Sequence, residues 1–179
     1  GGGDGAPSIH DIEEGIRLDE LPPVDADERA LLRERIVPGS LSLEQYARGT
    51  YGVTRSWTRI GFSYQIVRSS AAVEIRFQGI ASDGSVLGKR IRFEPDGSFS
   101  VRYEWDPHAS AAGDWFTVEL SLFRPVSVSS APEAEIWRHP VETIAKSERG
   151  LDRTVQGESV TLRWPVESGS ATVRIAIEP

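Results

Sequence analysis

From residue 50 onward, apolar and polar residues alternate with a period of two, and this pattern constrains the fold more than any other feature. The run from Val73 to Gln78 gives three apolar side chains to one face and three polar ones to the other. Successive side chains of a strand point to opposite faces, so this spacing predicts a strand with one buried face. Asp96-Gly97, after Pro95, predicts a hairpin turn between strands over 86–94 and 98–105.

Turn residues punctuate the rest of this region at short intervals, as is typical of all-β domains. Further strands are predicted over 115–123, 159–165 and 171–177. No repeat recurs at a fixed period, which argues against propellers and solenoids. The fold class predicted is therefore all-β, a two-sheet antiparallel β-sandwich. The segment from Pro132 to Ser147 contains Pro140 and few alternating apolar residues, so we expect a long loop there.

Before residue 50 the pattern is helical rather than alternating. Residues 1–12 are glycine-rich at first and predict a flexible leader or cloning remnant. Residues 13–49 predict a helical preface: one helix from Asp25 to Val37, stopped by Pro38-Gly39, and a second short turn from Leu41 to Arg48. Residues 50–179 are predicted to form the sandwich domain.

Composition excludes several function classes. Hydrophobic residues make up 39% and charged residues 26%, the balance of a soluble globular chain. A net charge of −7 argues against nucleic acid, because phosphate binding requires clustered Lys and Arg. No apolar run reaches the ~20 residues that span a bilayer. We expect a cytoplasmic protein without nucleic-acid or membrane partners, and the absence of cysteine excludes disulfides.

Catalytic patterns are weak. Glycoside hydrolysis needs two suitably spaced carboxylates, and each nearby acidic pair has a simpler reading as an exposed loop or strand face: Glu13-Glu14, Glu104 with Asp106, and Glu133 with Glu135. The three histidines are far apart, with no spacing that would build a zinc site: His10, His108 and His139. The sequence predicts no catalytic residue, no metal site and no cofactor.

The five tryptophans are the remaining candidates for binding, since aromatic faces suit neutral sugars. Most are expected in the core, because aromatic side chains dominate sandwich interiors. Trp137 is expected in the predicted loop, where it could stack on a sugar. A carbohydrate site is therefore predicted at Trp137, Trp57 and His139.

An ordered set of short motifs resembles the C-terminal domain of the alpha-amylase/4-alpha-glucanotransferase enzymes of glycoside hydrolase family fifty-seven. The most specific part is Ser147-Glu148, Gly150 and Val155-Gln156-Gly157, with Pro140 before and Trp164-Pro165 after it. Phe116 to Glu119 is similar to the family's Phe-x-x-Glu strand, and the stretch from Ser8 to Ile12 to its entry into the domain. One departure is Glu34-Arg35, which stands where the family pattern has Asp-His.

The resemblance implies a mutarotase-like super-sandwich beside a catalytic barrel that carries the reacting carboxylates. The function it implies is a non-catalytic accessory domain of an α-amylase or 4-α-glucanotransferase, which supports an N-terminal catalytic barrel. We expect no turnover of substrate by this chain alone, although the resemblance leaves that point open. Residues expected to dock the barrel are Ser147, Glu148 and Gln156.

Three alternatives remain at this point. The sandwich could be a starch- or maltooligosaccharide-binding module with α-1,4-glucan as its partner. It could be purely structural, in which case an exposed apolar patch is expected. A sugar epimerase would need a His and a carboxylate on facing strands, and His108 and His139 are predicted in loops.

Overall fold

The structure, a computed structural model, describes residues 31–69, 72–108, 110–123, 126–147 and 150–177. The described residues form one α-helix, α1 (Leu43–Ala47), and a short 3-10 helix (Val166–Ser168). Their strands are β1 (Arg33–Val37), β2 (Arg55–Ser56), β3 (Phe62–Arg68), β4 (Val73–Ile80), β5 (Val86–Phe93), β6 (Phe99–Trp105), β7 (Trp115–Leu122), β8 (Val126–Ala131), β9 (Glu135–Ser147), β10 (Gly150–Pro165) and β11 (Ser170–Ile177).

The strands form two antiparallel sheets. Sheet A has the order β2-β1-β7-β10-β9, and sheet B has the order β3-β4-β5-β6-β11-β8. The main core lies between them, where Trp57, Tyr103, Phe116 and Trp164 are almost fully buried. The predicted two-sheet antiparallel sandwich is confirmed.

The clearest predicted hairpin is also confirmed. β5 and β6 pair from Leu87 with Trp105 to Phe93 with Phe99. The turn between them places Gly97 at φ 82°, a conformation that glycine adopts without strain. The predicted strand at Val73 forms as β4, but its apolar face is only partly covered.

The helix predicted from Asp25 to Val37 is wrong over its last part, and its first part lies outside the described residues. Arg33 to Val37 form β1, which pairs with β7 on one side and β2 on the other. All five side chains are buried, the alternate ones on opposite faces of the sheet. Helix propensity is a weak prior, and pairing with strands distant in sequence overrides it here.

The second predicted helical turn is confirmed as α1. The Ser42 hydroxyl accepts from the Gln45 amide, and the Gln45 side chain accepts from the Ser42 amide, which forms a capping box. Tyr46 is the buried residue of this helix and contacts the outer face of sheet A. Tyr46 thereby anchors α1 on that face.

The loop predicted from Pro132 to Ser147 is wrong for most of its length, because Glu135 to Ser147 form β9. β9 is an edge strand of sheet A, and its only described neighbour is β10. Proline lacks an amide hydrogen and is tolerated at sheet edges, so Pro140 does not interrupt the strand. The placement of Trp137 in a loop is wrong for the same reason.

Candidate functional site

Glu119 of β7 is the centre of a buried polar network on the outer face of sheet A. Arg33 and Arg35 of β1 donate to its carboxylate, the second over 3.1 Å. Tyr46 of α1 donates its hydroxyl over 2.7 Å, and Ser159 of β10 donates over 2.8 Å. We call these five residues the Glu119 network. It joins three strands and the helix at one carboxylate.

The surroundings of Glu119 keep it ionised. Burial alone raises the pKa of its carboxyl group, but the positive charge of Arg33 and the hydrogen bonds from Tyr46 and Ser159 outweigh burial. With Arg35 adding to them, the pKa of Glu119 lies below its ordinary value. A carboxylate held by four donors has a structural role, because each donor restrains it in place.

The pKa of Tyr46 is shifted in the opposite direction to that of Glu119. Burial, the nearby negative charge of Glu119 and the neighbouring Tyr51 raise the pKa of the Tyr46 hydroxyl well above its ordinary value. The hydroxyl therefore stays protonated at neutral pH and donates to Glu119, while it accepts from Thr161 over 3.2 Å. This pairing fixes α1 against sheet A.

Beside this network, Arg163 of β10 lies between two tryptophan rings. Its guanidinium carbon is 4.2 Å from the Trp115 ring centre and 3.7 Å from that of Trp137. Glu135 of β9 accepts from its Nη2 over 3.1 Å. Burial lowers the pKa of Arg163, and Glu135 partly opposes that shift. The arrangement is a cation–π sandwich with one partly exposed counter-ion.

Of the three predicted carbohydrate residues, Trp57 and Trp137 are buried and His139 is half-buried. Trp137 is 8% exposed, and one of its faces is against Arg163. The ring of His139 meets Tyr46 edge-on at 5.9 Å. Trp57 is 1% exposed and lies in the main core, where its Nε1 donates to Ser85 O over 3.4 Å.

Trp137 and His139 thus share one face of sheet A, whereas Trp57 lies on the other. The three residues do not form one surface. Carbohydrate binding at these positions stays a prediction, and it would require the rings to be uncovered first.

The predicted docking residues lie on a different feature, a long hairpin of β9 and β10. β10 pairs with β7 only from Glu158 to Pro165. Beyond that point, β9 from Val141 and β10 back to Gly150 pair only with each other among the described strands. We call this ribbon, residues 141–147 and 150–157, the arm. Its seven residue pairs extend roughly 20 Å at about 3.3 Å per residue.

The arm begins at a β-bulge. The register shifts between Val155 and Gly157, which leaves Gln156 as the extra residue, and its side chain is exposed. A Cβ atom on Gly157 would lie 2.4 Å from the Leu122 carbonyl oxygen, so glycine is required where the arm leaves β7. Ser147 pairs with Gly150 at the tip, and Glu148 lies outside the described residues.

The described residues contain no group of three or more His, Asp or Glu side chains that could hold a metal ion. No helix among them is long and apolar enough to cross a membrane. Glu104, one member of the acidic pairs considered above, is held by Arg90 and Arg102 on the outer face of sheet B.

A comparison with known protein families matches the part of the chain that contains the arm. Residues 121–177, which include the whole arm, match the family described as alpha-amylase/4-alpha-glucanotransferase, C-terminal. The chain matches the C-terminal domain of these enzymes. The resemblance predicted from the motifs is thereby confirmed.

Two relatives show the extent of the match. The chain is 25% identical over 193 residues to a 4-alpha-glucanotransferase of Thermococcus kodakarensis, which covers 93% of this chain and 29% of that enzyme. It is 26% identical over 185 residues to an alpha-amylase of Pyrococcus horikoshii, covering 89% and 28%. The chain therefore spans less than a third of the length of these relatives, and it corresponds to their C-terminal domain.

A solved structure shares the fold. The crystal structure of 4-alpha-glucanotransferase from Thermococcus litoralis superimposes with a TM-score of 0.73 at 21% identity, over 94% of this chain and 31% of that one. At this identity the likeness supports the sandwich and its topology alone.

The Glu119 network was missed from the sequence. A signal was present in two strands, where Thr117, Glu119 and Ser121 alternate with apolar residues, as do Ser159 and Thr161. Such alternation normally indicates an exposed face. Here Tyr46 of α1 lies over part of this face and hydrogen-bonds with Glu119 and Thr161.

Proposed function

We propose that this chain is a non-catalytic C-terminal accessory domain of an α-glucan-active enzyme and that it docks an N-terminal catalytic barrel through the arm. The arm is the observation that carries the proposal. A two-stranded ribbon has little stability alone in water, because it buries few side chains. A ribbon that extends beyond its own sheet is therefore suited to packing against a second body.

Details of the arm support this role. Val155 is 61% exposed on the ribbon, although it is a large apolar residue. The bulge at Gln156 increases the local twist and redirects the strand, as bulges at functional edges do. Gly157 allows the close approach to Leu122 that sets the starting direction of the arm. In the relatives this domain follows the larger part of the enzyme, which would supply the docking partner.

Binding of α-1,4-glucan by this domain has less support. Sugar platforms require an accessible aromatic face, and both Trp57 and Trp137 are covered. The proposal includes a catalytic barrel as the partner, an α-glucan as the substrate of the whole enzyme and a cytoplasmic location. The names of the relatives support the substrate, and the motifs and composition of the sequence support the barrel and the location.

Three measurements on the chain test the proposal. Release of reducing sugar from amylose by the chain alone would contradict a non-catalytic role. Titration with maltoheptaose, followed by tryptophan fluorescence, is expected to show no saturable change. Saturable quenching lost in Trp137→Ala, with the fold checked by circular dichroism, would instead favour a glucan-binding module.

Docking is tested with the catalytic part of the Thermococcus kodakarensis relative, produced without its own C-terminal domain. Calorimetry is expected to detect binding, and Val155→Asp on the arm should abolish it. Val86→Asp is the matched control, because Val86 is 40% exposed on the outer face of sheet B. No binding, or equal loss in both variants, would contradict docking through the arm.

A further inference from the structure

A second surface, at the inner face of sheet B, is apolar and is left uncovered by the residues that the structure describes. The register of β3, β4 and β5 places Tyr64 opposite Phe77, Ile66 opposite Ile75, and Val73 opposite both Arg68 and Phe93. These residues share the face that, farther along the sheet, forms the core. We call the apolar ones the open face: Tyr64, Ile66, Val73, Ile75, Phe77 and Phe93.

The open face is exposed although it continues the core. Tyr64 is 68% exposed, Ile66 47% and Phe93 44%. Aromatic contacts run across it, with ring centres of Tyr64 and Phe77 6.3 Å apart. A contiguous apolar surface of this kind marks a docking site, because its exposure to water is unfavourable.

Sheet A ends before it covers this surface. β2, its edge strand, pairs only with Arg35 and Ile36 of β1. Nearer its start, β1 has no strand partner on that side among the residues described. As far as residues 31–177 are described, the sandwich is therefore closed over β6 and β11 and open over β3 and β4.

The position of β1 shows which part of the chain arrives at the open face. Glu34 accepts from Lys89 of β5 over 2.8 Å, and the Lys89 ammonium lies 5.4 Å from the Phe77 ring centre. Ile36 pairs with Phe116, whose ring stacks on Trp105. Trp105 pairs with Leu87, at the end of β5 opposite Phe93. The direction from Ile36 to Glu34 thus leads toward Phe93, and the described part of the chain begins at Leu31, two residues before β1 in that direction.

The sequence before Leu31 has suitable chemistry. Residues 13–30 contain Ile16, Leu18, Leu21 and Val24, spaced among seven acidic and two basic residues. The first thirty residues hold nine acidic and two basic residues, so the remaining chain, with eighteen of each, has no net charge. Arg68 stands on the inner face of β3 at the edge of this surface and is exposed.

We infer that residues 13–30 of this chain dock on the open face, with their apolar side chains against Tyr64, Ile66 and Phe93. The segment is joined directly to β1, so its effective concentration at this surface exceeds that of any separate molecule at micromolar concentration. Its apolar residues complete the core, while its acidic residues face solvent and Arg68. This inference does not depend on the proposed docking of a barrel by the arm.

The absence of cysteine from the chain allows a direct test. A nitroxide is attached to Glu20→Cys, and the amide signals of the ¹⁵N-labelled chain are compared before and after reduction of the label. Broadening is expected at β3 and β4, including Ile66 and Ile75. No broadening at these strands would overturn the inference.

Two substitutions sharpen the test. Ile66→Asp, on the open face, should remove the broadening. Ile80→Asp should keep it, because Ile80 is 59% exposed on the opposite face of β4. Equal loss in both variants would overturn the inference.

A mixture of nitroxide-labelled ¹⁴N chain with unlabelled ¹⁵N chain separates docking within one molecule from docking between two. No broadening is expected in this mixture. Broadening there as strong as in the singly labelled chain would show that a second copy occupies the open face, and it would overturn the inference.

Discussion

The outer face of sheet A and the open face of sheet B reverse the usual distribution of side chains. At the first, Arg33, Arg35 and Glu119 are each about 5% exposed. At the second, no described residue covers large apolar side chains such as that of Tyr64. Tyr46 of α1 packs on the polar face, whereas the apolar face has no cover among the described residues. Whether a side chain is buried therefore depends on the elements that pack over its face of the sheet. The polarity of the residues on that face does not predict their burial.

The largest effect that tests this comparison is expected at Glu119. Glu119→Ala should reduce the free energy of unfolding by about 3–5 kcal/mol, because it leaves the buried guanidinium groups of Arg33 and Arg35 without their anion. Urea unfolding measures the change. Glu104→Ala is the control, an exposed carboxylate with two arginine partners, and should cost about 1 kcal/mol or less. Similar losses in the two variants would contradict the distinction between the faces.

Trp137 tests the apolar part of the same covered face. Trp137→Ala should destabilise the chain by about 3 kcal/mol, since it removes a buried ring that packs on Arg163 and Tyr46. Phe123→Ala provides the control, because Phe123 is 70% exposed, and it should change stability by about 0.5 kcal/mol or less. Thermal and urea unfolding report both. If Trp137→Ala left the free energy of unfolding unchanged, the ring would not be needed for stability and would be available for another role.

Gly157 tests how the arm is attached to the sandwich. Gly157→Ala should destabilise by about 1–3 kcal/mol, because the added methyl group would meet the Leu122 carbonyl oxygen. Gly52→Ala is the matched control, since nothing lies within 4 Å of its Cβ position. Hydrogen exchange at arm amides should rise only in the first variant. An unchanged arm in Gly157→Ala would contradict the close approach.

The smallest effect concerns pH. The pKa of Glu119 is lower in the folded chain than its ordinary value, so its contribution to stability is present above that value and is lost as pH falls through the folded pKa. Glu119→Gln should therefore be less stable than the parent at pH 7. The gap should narrow as the pH falls toward about 3, which lies below the ordinary carboxyl pKa of about 4.3.

Urea unfolding at several pH values measures this gap. The exposed carboxylates of Asp83, Asp96 and Glu167, whose pKa values are also lowered by hydrogen bonds, act equally in both proteins. They cancel in the difference. A gap that stays constant with pH would show that the network does not depend on the charge of Glu119.

Much of the fold was predictable because local patterns specify it. The turn at Asp96-Gly97 and the alternation in β6 are signals within a few residues, and the hairpin forms as predicted. The capping box at Ser42 likewise needs only its own neighbours. Misassignments occurred at β1 and β9, where the pairing partners are distant in sequence or where edge position makes a proline harmless.

The candidate site was predictable in part. The motif containing Ser147 and Gln156 was recognised, and it coincides with the arm. The sequence could not show that this motif forms a ribbon. The ribbon exists because β7 ends at Leu122, opposite Glu158, whereas β10 extends past that point as far as Gly150. Trp57 and Trp137 were predicted to bind carbohydrate, and that stays a prediction. Their burial could not be predicted, because it depends on sheets and a helix assembled from distant segments.

The sequence by itself determined the sandwich class, the main hairpin, the short capped helix and the resemblance to the C-terminal domain of α-glucan-active enzymes. These depend on side-chain period, turn residues and ordered motifs, all of which are local. Only the tertiary structure decided that Glu119 is buried among arginines and that Tyr64 lies outside the core that the described residues form. The reason is that burial is a property of the elements that cover a residue, and those elements come from elsewhere in the chain.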